Sequence, residues 1–164
     1  MSHRFLIAGL GNIFLGDDGF GVEVIRRLCA RSLPASVRVA DFGIRTLHLA
    51  YELLDGAYEA TLLVDAARMG DQPGTVYLIK PDLDLIVGGA ETLSDAHSMD
   101  FRSVLRLLNS LGGNTGEIYV VGCEPLQLDE EMGLSKPVAD AIEEALKLIQ
   151  ETVAGWEQTG ANHA

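Results

Sequence analysis

Four aspartates and one histidine are the side chains best placed to do chemistry. Asp17 and Asp18 are adjacent in a stretch that also carries Gly9, Gly11, Gly16, Gly19 and Gly21. Asp41 and Asp65 each follow a short predicted strand, Val37 to Ala40 and Thr61 to Val64, and His97 closes a long irregular stretch. Carboxylates can take and return protons, and two carboxylates with one imidazole make a donor set that borderline divalent metals accept. The cysteines offer less: Cys29 falls on the apolar stripe of a predicted helix and reads as a small core residue, and Cys123 has no basic neighbour in sequence to activate it.

These side chains need a frame that brings them together. Phe5 to Ala8 is an uncharged apolar run, as expected of a strand buried on both faces of a parallel sheet. A helix is predicted from Gly19 to about Arg31 on the stripe Phe20, Val24, Ile25, Leu28, and one of Asp17 and Asp18 could cap it, leaving the other over. A second strand ends at Asp41-Phe42-Gly43, a helix covers Thr46 to Leu54 with His48 at its surface, and a third strand ends at Asp65. Parallel strands deliver their carboxyl ends to one edge of a sheet, where open α/β folds place their sites. Asp18, Asp41 and Asp65 are therefore expected on a common rim.

Thr75 to Ile79 follows the third strand too closely for a helical crossover, so it is predicted to be an antiparallel edge strand. Pro81 to Ser98 has no period, and a long irregular stretch in a small domain is more often functional than idle. A helix from about Met99 to Leu111, a strand from Glu117 to Val121 and a last helix from Ser135 or Pro137 to about Ala154 complete the order. The expected fold is a three-layer α/β/α sandwich of phosphorylase/hydrolase-like form, whose five-stranded sheet is mostly parallel with one antiparallel edge strand. Residues 1–155 form one domain in this reading, and 156–164, with His163, a polar tail expected to lack order.

Composition narrows the function. The chain has 164 residues, 48% of them hydrophobic, and 24 acidic against 12 basic side chains leave a formal charge of −12. Such a charge repels a polyphosphate backbone, so nucleic-acid binding is disfavoured. No apolar run approaches the roughly 20 residues of a membrane span. Met1 to Arg4 lead directly into the first strand without a signal-peptide layout, and two cysteines in no ligand-like spacing suit a reducing compartment, so a cytoplasmic protein is expected. A dinucleotide loop is disfavoured because the third glycine of its fingerprint falls on Phe14, and because paired carboxylates would meet the pyrophosphate.

Gly9-Leu10-Gly11-Asn12 followed by Gly16-Asp17-Asp18-Gly19-Phe20-Gly21 resembles the opening signature of the hydrogenase maturation endopeptidases. These enzymes trim the carboxyl-terminal extension from the large subunit of nickel-iron hydrogenases. The resemblance extends to Asp41-Phe42-Gly43, where Ile44 replaces a common threonine, and to Gly122-Cys123-Glu124-Pro125. It implies an aspartyl-type peptidase in which Asp18, Asp65 and His97 are metal ligands and Asp18 or Asp41 serves catalysis. It further implies that the metal is nickel supplied by the precursor subunit, the expected partner, with a monomer as the default state. Two rivals remain in view. Gly9-Leu10-Gly11-Asn12 is also similar to the opening of peptidyl-tRNA hydrolases, although Ile13 stands where those have proline. A non-catalytic metal or nucleotide sensor of flavodoxin-like shape would use the same strand-end rim.

Overall fold

All six positions of the first strand, β1 (Phe5–Leu10), are buried, and this strand organises the sheet. The computed structural model describes residues 3–81 and 100–162. After β1 come a 3-10 turn (Gly16–Gly19), α1 (Phe20–Leu28), β2 (Val37–Gly43), α2 (Thr46–Asp55), β3 (Ala60–Ala66) and β4 (Val76–Ile79). Beyond the segment that carries His97, which lies outside the described residues, follow α3 (Phe101–Leu111), β5 (Glu117–Cys123), α4 (Lys136–Asp140) and α5 (Ile142–Asn162).

The sheet order is β2-β1-β3-β5-β4. β1 pairs in parallel with β2 and β3, and β3 in parallel with β5, while β4 joins the edge antiparallel with Val76 opposite Cys123. The expected edge strand is therefore present, and the carboxyl ends of β1, β2, β3 and β5 share one rim. Alternation along β1 divides the core between two layers. Phe5 and Ile7 pack with α1 and α5 residues such as Val24, Leu146 and Ile149, whereas Leu6, Ala8 and Leu10 pack with Leu49 and Leu53 of α2 and Leu105 of α3. Burying a side chain of this size contributes about 1.5–3 kcal/mol.

One glycine sets how closely α1 lies on the sheet. A Cβ at Gly21 would overlap the carbonyl oxygens of Val64 and Leu10, so only glycine allows the first turn of α1 to sit over the β1–β3 boundary. A dinucleotide fingerprint would place its helix-packing glycine where Phe14 stands; here Gly21 provides the close approach.

The last helical region differs from expectation in two ways. It breaks at Ala141 between α4 and α5, and α5 continues to Asn162 instead of stopping near Ala154. Trp156 accounts for the extension, since its ring lies 5.3 Å from Phe5 and 5.7 Å from Tyr119, which anchors the turn beyond Gly155 on the sheet. Cys29, expected in the core, is exposed, because α1 ends at Leu28 and Cys29 is its carboxyl-terminal cap.

Thr61 is wholly buried on β3, and among the described residues its hydroxyl has no hydrogen-bond partner. An unsatisfied buried polar group costs about 1–3 kcal/mol. Thr61→Val is accordingly expected to stabilise the fold by about 1 kcal/mol, which raises Tm by about 2–4 °C in a domain of this size; thermal unfolding of the two proteins measures it.

Candidate active site

Asp17 and Asp18 are neighbours with opposite tasks. Asp17 is wholly buried, and its carboxylate accepts hydrogen bonds from Leu126 N–H (2.8 Å), Gln127 N–H (3.0 Å), Ser135 N–H (2.7 Å) and the Ser135 hydroxyl (2.8 Å). It straps the β1–α1 loop to the stretch that follows β5. Neither aspartate caps α1, whose N-cap is Gly19 without a side-chain bond. Asp18 is half-buried, and its Oδ2 accepts Asn12 N–H at 2.8 Å. That bend requires glycine at position 11, where φ is +139° and a Cβ would strike the Asp18 carbonyl oxygen.

Asp65 ends β3 with no solvent exposure. Its Oδ1 accepts Ala66 N–H at 2.8 Å and its Oδ2 accepts Phe101 N–H at 2.9 Å, so it also fixes the start of α3. Burial pushes the Asp65 carboxyl well above the usual carboxylate range, with the charges of Asp18 and then Asp100 adding to the rise and the two amides opposing it. Asp18 is raised too, first by burial, against the Asn12 amide and with help from Asp100. Asp18, Asp65 and Asp100 thus form an electrostatically linked acidic group at the carboxyl edge of the sheet.

Asp100 is the member of this group that the sequence reading did not single out. It caps α3, its side chain accepting Arg102 and Ser103 N–H groups. Its signal was an aspartate directly before an apolar helical stripe, the ordinary mark of an N-cap. Asp41 ends β2 one strand away from β1, opposite Gly9. It is exposed, with Oδ1 accepting Gly43 N–H at 2.8 Å, and the charges that raise Asp65 come from Asp18 and Asp100, while the charge that raises Asp18 comes from Asp100. His97 lies outside the described residues. Among the described residues, no three His, Cys, Asp or Glu side chains are grouped so as to hold a metal ion.

Two further residues bear on the rim. Cys123 is wholly buried, and burial followed by the charges of Asp17, Glu144 and Glu124 pushes its thiol up to about 12, which removes it as a nucleophile. Glu124 fastens the β3–β4 connection: its Oε1 accepts Met69 N–H (2.8 Å), Asp71 N–H (3.2 Å) and the Tyr77 hydroxyl (2.7 Å). Burial alone would raise its pKa, but the Tyr77 hydroxyl and the amides outweigh it and hold the carboxylate below its ordinary value of 4.5. A depressed carboxylate stabilises the fold above its unfolded pKa and loses that contribution as pH falls through the folded value. Glu124→Gln should cost about 1–2 kcal/mol at pH 7, and the penalty should shrink below pH 4.5, the ordinary value for this group. Urea unfolding at both pH values measures the difference.

Comparison with known proteins gives one result in sequence and in structure. A family profile described as hydrogenase maturation protease matches residues 22–152. The hydrogenase expression/formation protein HupD of Bradyrhizobium diazoefficiens is 31% identical over 159 residues, covering 96% of this chain and 81% of that protein. Among solved structures, the hydrogenase maturating endopeptidase HybD from Escherichia coli superposes with a TM-score of 0.74 at 26% identity, covering 96% of this chain and 94% of that one. The NiFe hydrogenase maturation protease HycI from Thermococcus kodakarensis gives 0.64 at 26% identity, with 90% of each chain covered.

Proposed function

This chain belongs to the hydrogenase maturation protease family, and on that premise we propose that it removes the carboxyl-terminal extension of a nickel-iron hydrogenase large-subunit precursor once nickel has been installed. The observation that carries the proposal is the pairing of Asp18 and Asp65 on the rim, where each is raised toward protonation and a cation would relieve both. Burial disfavours the charged form of both carboxylates, with Asp100 adding to the rise of each, and a divalent ion is the remedy that the donor set invites. His97 is the third ligand in this reading. It stands four positions before Phe101, whose amide Asp65 holds, and four residues of chain span at most about 14 Å.

Nickel arrives as part of the substrate, bound to the precursor, and supplies charge that can hold the cleavage segment at the rim. The chain's own residues do the rest. Asp65 is fixed by two amides and presents an immobile carboxylate. Asp18, tied among the described residues by one amide, is the more accessible of the two and takes a proton from the attacking water. Asp41, exposed one strand away with one oxygen engaged by Gly43, is the second carboxylate available for that proton. Water adds to the scissile carbonyl, the C–N bond breaks, and the proton passes to the leaving amine. The enzyme is thus an aspartyl-type, metal-conditioned hydrolase that works in the cytoplasm. No helix among the described residues is long and apolar enough to cross a membrane. The comparisons favour the protease reading over the peptidyl-tRNA hydrolase and sensor readings.

The test mixes purified protein with nickel-loaded and nickel-free precursor and follows the precursor's mass. Loss of the extension from the loaded form alone is expected, and loss from neither would overturn the assignment. Equal loss from both would overturn the dependence on nickel. In the same assay His97→Ala should leave the loaded precursor uncut.

A further inference from the structure

Large apolar side chains are left in solvent beside the loop that carries Asp18. Phe14 is 60% exposed, Met132 64%, Leu126 57% and Ile13 41%. They are not scattered. Ile13 and Met132 line one concavity of about 400 Å³ against α1, and Phe14 and Met132 line a neighbouring one of about 410 Å³, so Met132 is the ridge between two grooves. Asn12, whose amide holds Asp18, lines the second groove.

This surface is built rather than incidental. The Asp17 carboxylate binds the backbone at Leu126, Gln127 and Ser135, and the return bonds Gly16 N–H to Glu131 O (2.7 Å) and Asp17 N–H to Gln127 O (2.9 Å) complete the strap. The grooves and the Asp18 loop therefore form one rigid unit, which lowers the entropy lost when a segment settles there. Its rim is acidic: Asp129, Glu130 and Glu131 are exposed, and among the described residues none is paired with a cation. A chain of formal charge −12 with such a rim disfavours a second copy of itself and favours a cationic partner.

We propose that the twin grooves flanking Met132 dock a stretch of the precursor near its cleavage point, with apolar side chains seated on either side of Met132 and a basic residue against Glu130 and Glu131. The inference rests on the protease reading and adds to it the chemistry of the segment recognised. Grooves of this size and lining are ordinary for side-chain recognition, and their continuity with the Asp18 loop places the docked chain beside the carboxylates.

The experiment measures steady-state cleavage of nickel-loaded precursor by the full chain and by Phe14→Glu, Met132→Glu and the double variant Glu130→Lys/Glu131→Lys. Each apolar-to-Glu variant is expected to raise KM by about tenfold or more with kcat within about twofold, the signature of lost uniform binding. The lysine variant should raise KM at low salt, and the rise should narrow at high salt. An unchanged KM in all three, or a fall in kcat alone, overturns the docking proposal while wild-type cleavage preserves the protease reading. Failure of the wild type to cut the loaded precursor overturns the protease reading itself. A wild type that sediments as a dimer and a Met132→Glu protein that sediments as a monomer would assign the ridge to self-association and overturn the proposal.

Discussion

Asp65→Asn protein folds, and its processing of nickel-loaded precursor falls by about a thousandfold. Removing one fixed electrostatic group from a reaction site costs about 2.7–4 kcal/mol of transition-state stabilisation, and each 1.36 kcal/mol is tenfold in rate. The variant keeps its fold because asparagine fits the same space and still offers an oxygen to one of the two amides that Asp65 holds. Its stability should even improve with alkalinity relative to the parent. Asp65 is raised in the folded state, so the parent loses stability as pH climbs from the ordinary carboxylate value toward the raised one, and a neutral amide escapes that loss. Urea unfolding at pH 5 and pH 8, beside the processing assay, separates the effect on chemistry from the effect on the fold. A variant that still processes at the parental rate would remove Asp65 from the reaction.

Asp17→Ala is expected to do the reverse, harming the fold first and the reaction through it. It strips the acceptor from three backbone amides and a hydroxyl at once. At about 1–3 kcal/mol for each buried group left unpaired, a loss of about 3–5 kcal/mol follows after partial relaxation, and Tm drops by about 10 °C or more. Asp17→Asn should recover part of this, since one carbonyl oxygen can serve the Leu126 and Gln127 amides but not Ser135 N–H as well. Thermal unfolding of both variants ranks them. Equal Tm for alanine and aspartate would mean that the strap contributes nothing.

The contrast between these neighbours shows where sequence reading stops. The buried run at Phe5 to Leu10, the strand-end positions of Asp41 and Asp65 and the antiparallel edge strand are legible because each depends on local pattern: apolar runs, turn residues and the length of one connection. The division of labour between Asp17 and Asp18 is not. The partners of Asp17 lie 109 to 118 residues away, and nothing near Asp17 marks Leu126 or Ser135 as its donors. Glu124 is similar, since its donors come from the loop after β3 and from Tyr77 of β4, 47 to 55 residues earlier. Gly21 was hidden for another reason. The nucleotide fingerprint directs attention to position 14, whereas this loop is longer and brings its tight-packing glycine later. The extension of α5 was obscured by Gly155, a residue that often ends helices, because the ring contacts of Trp156 with Phe5 and Tyr119 exist only once the sheet has formed.

The unequal anchoring of Asp18 and Asp65 has a practical consequence. Asp65 is a mooring for α3 as well as a carboxylate of the rim, so altering it disturbs two things at once. Among the described residues Asp18 is held by Asn12 N–H, and an amide side chain there could keep that bond while forfeiting the negative charge. Asp18→Asn is therefore the better bait for capturing the uncut precursor in a stalled complex, a handle by which the client could be isolated and identified.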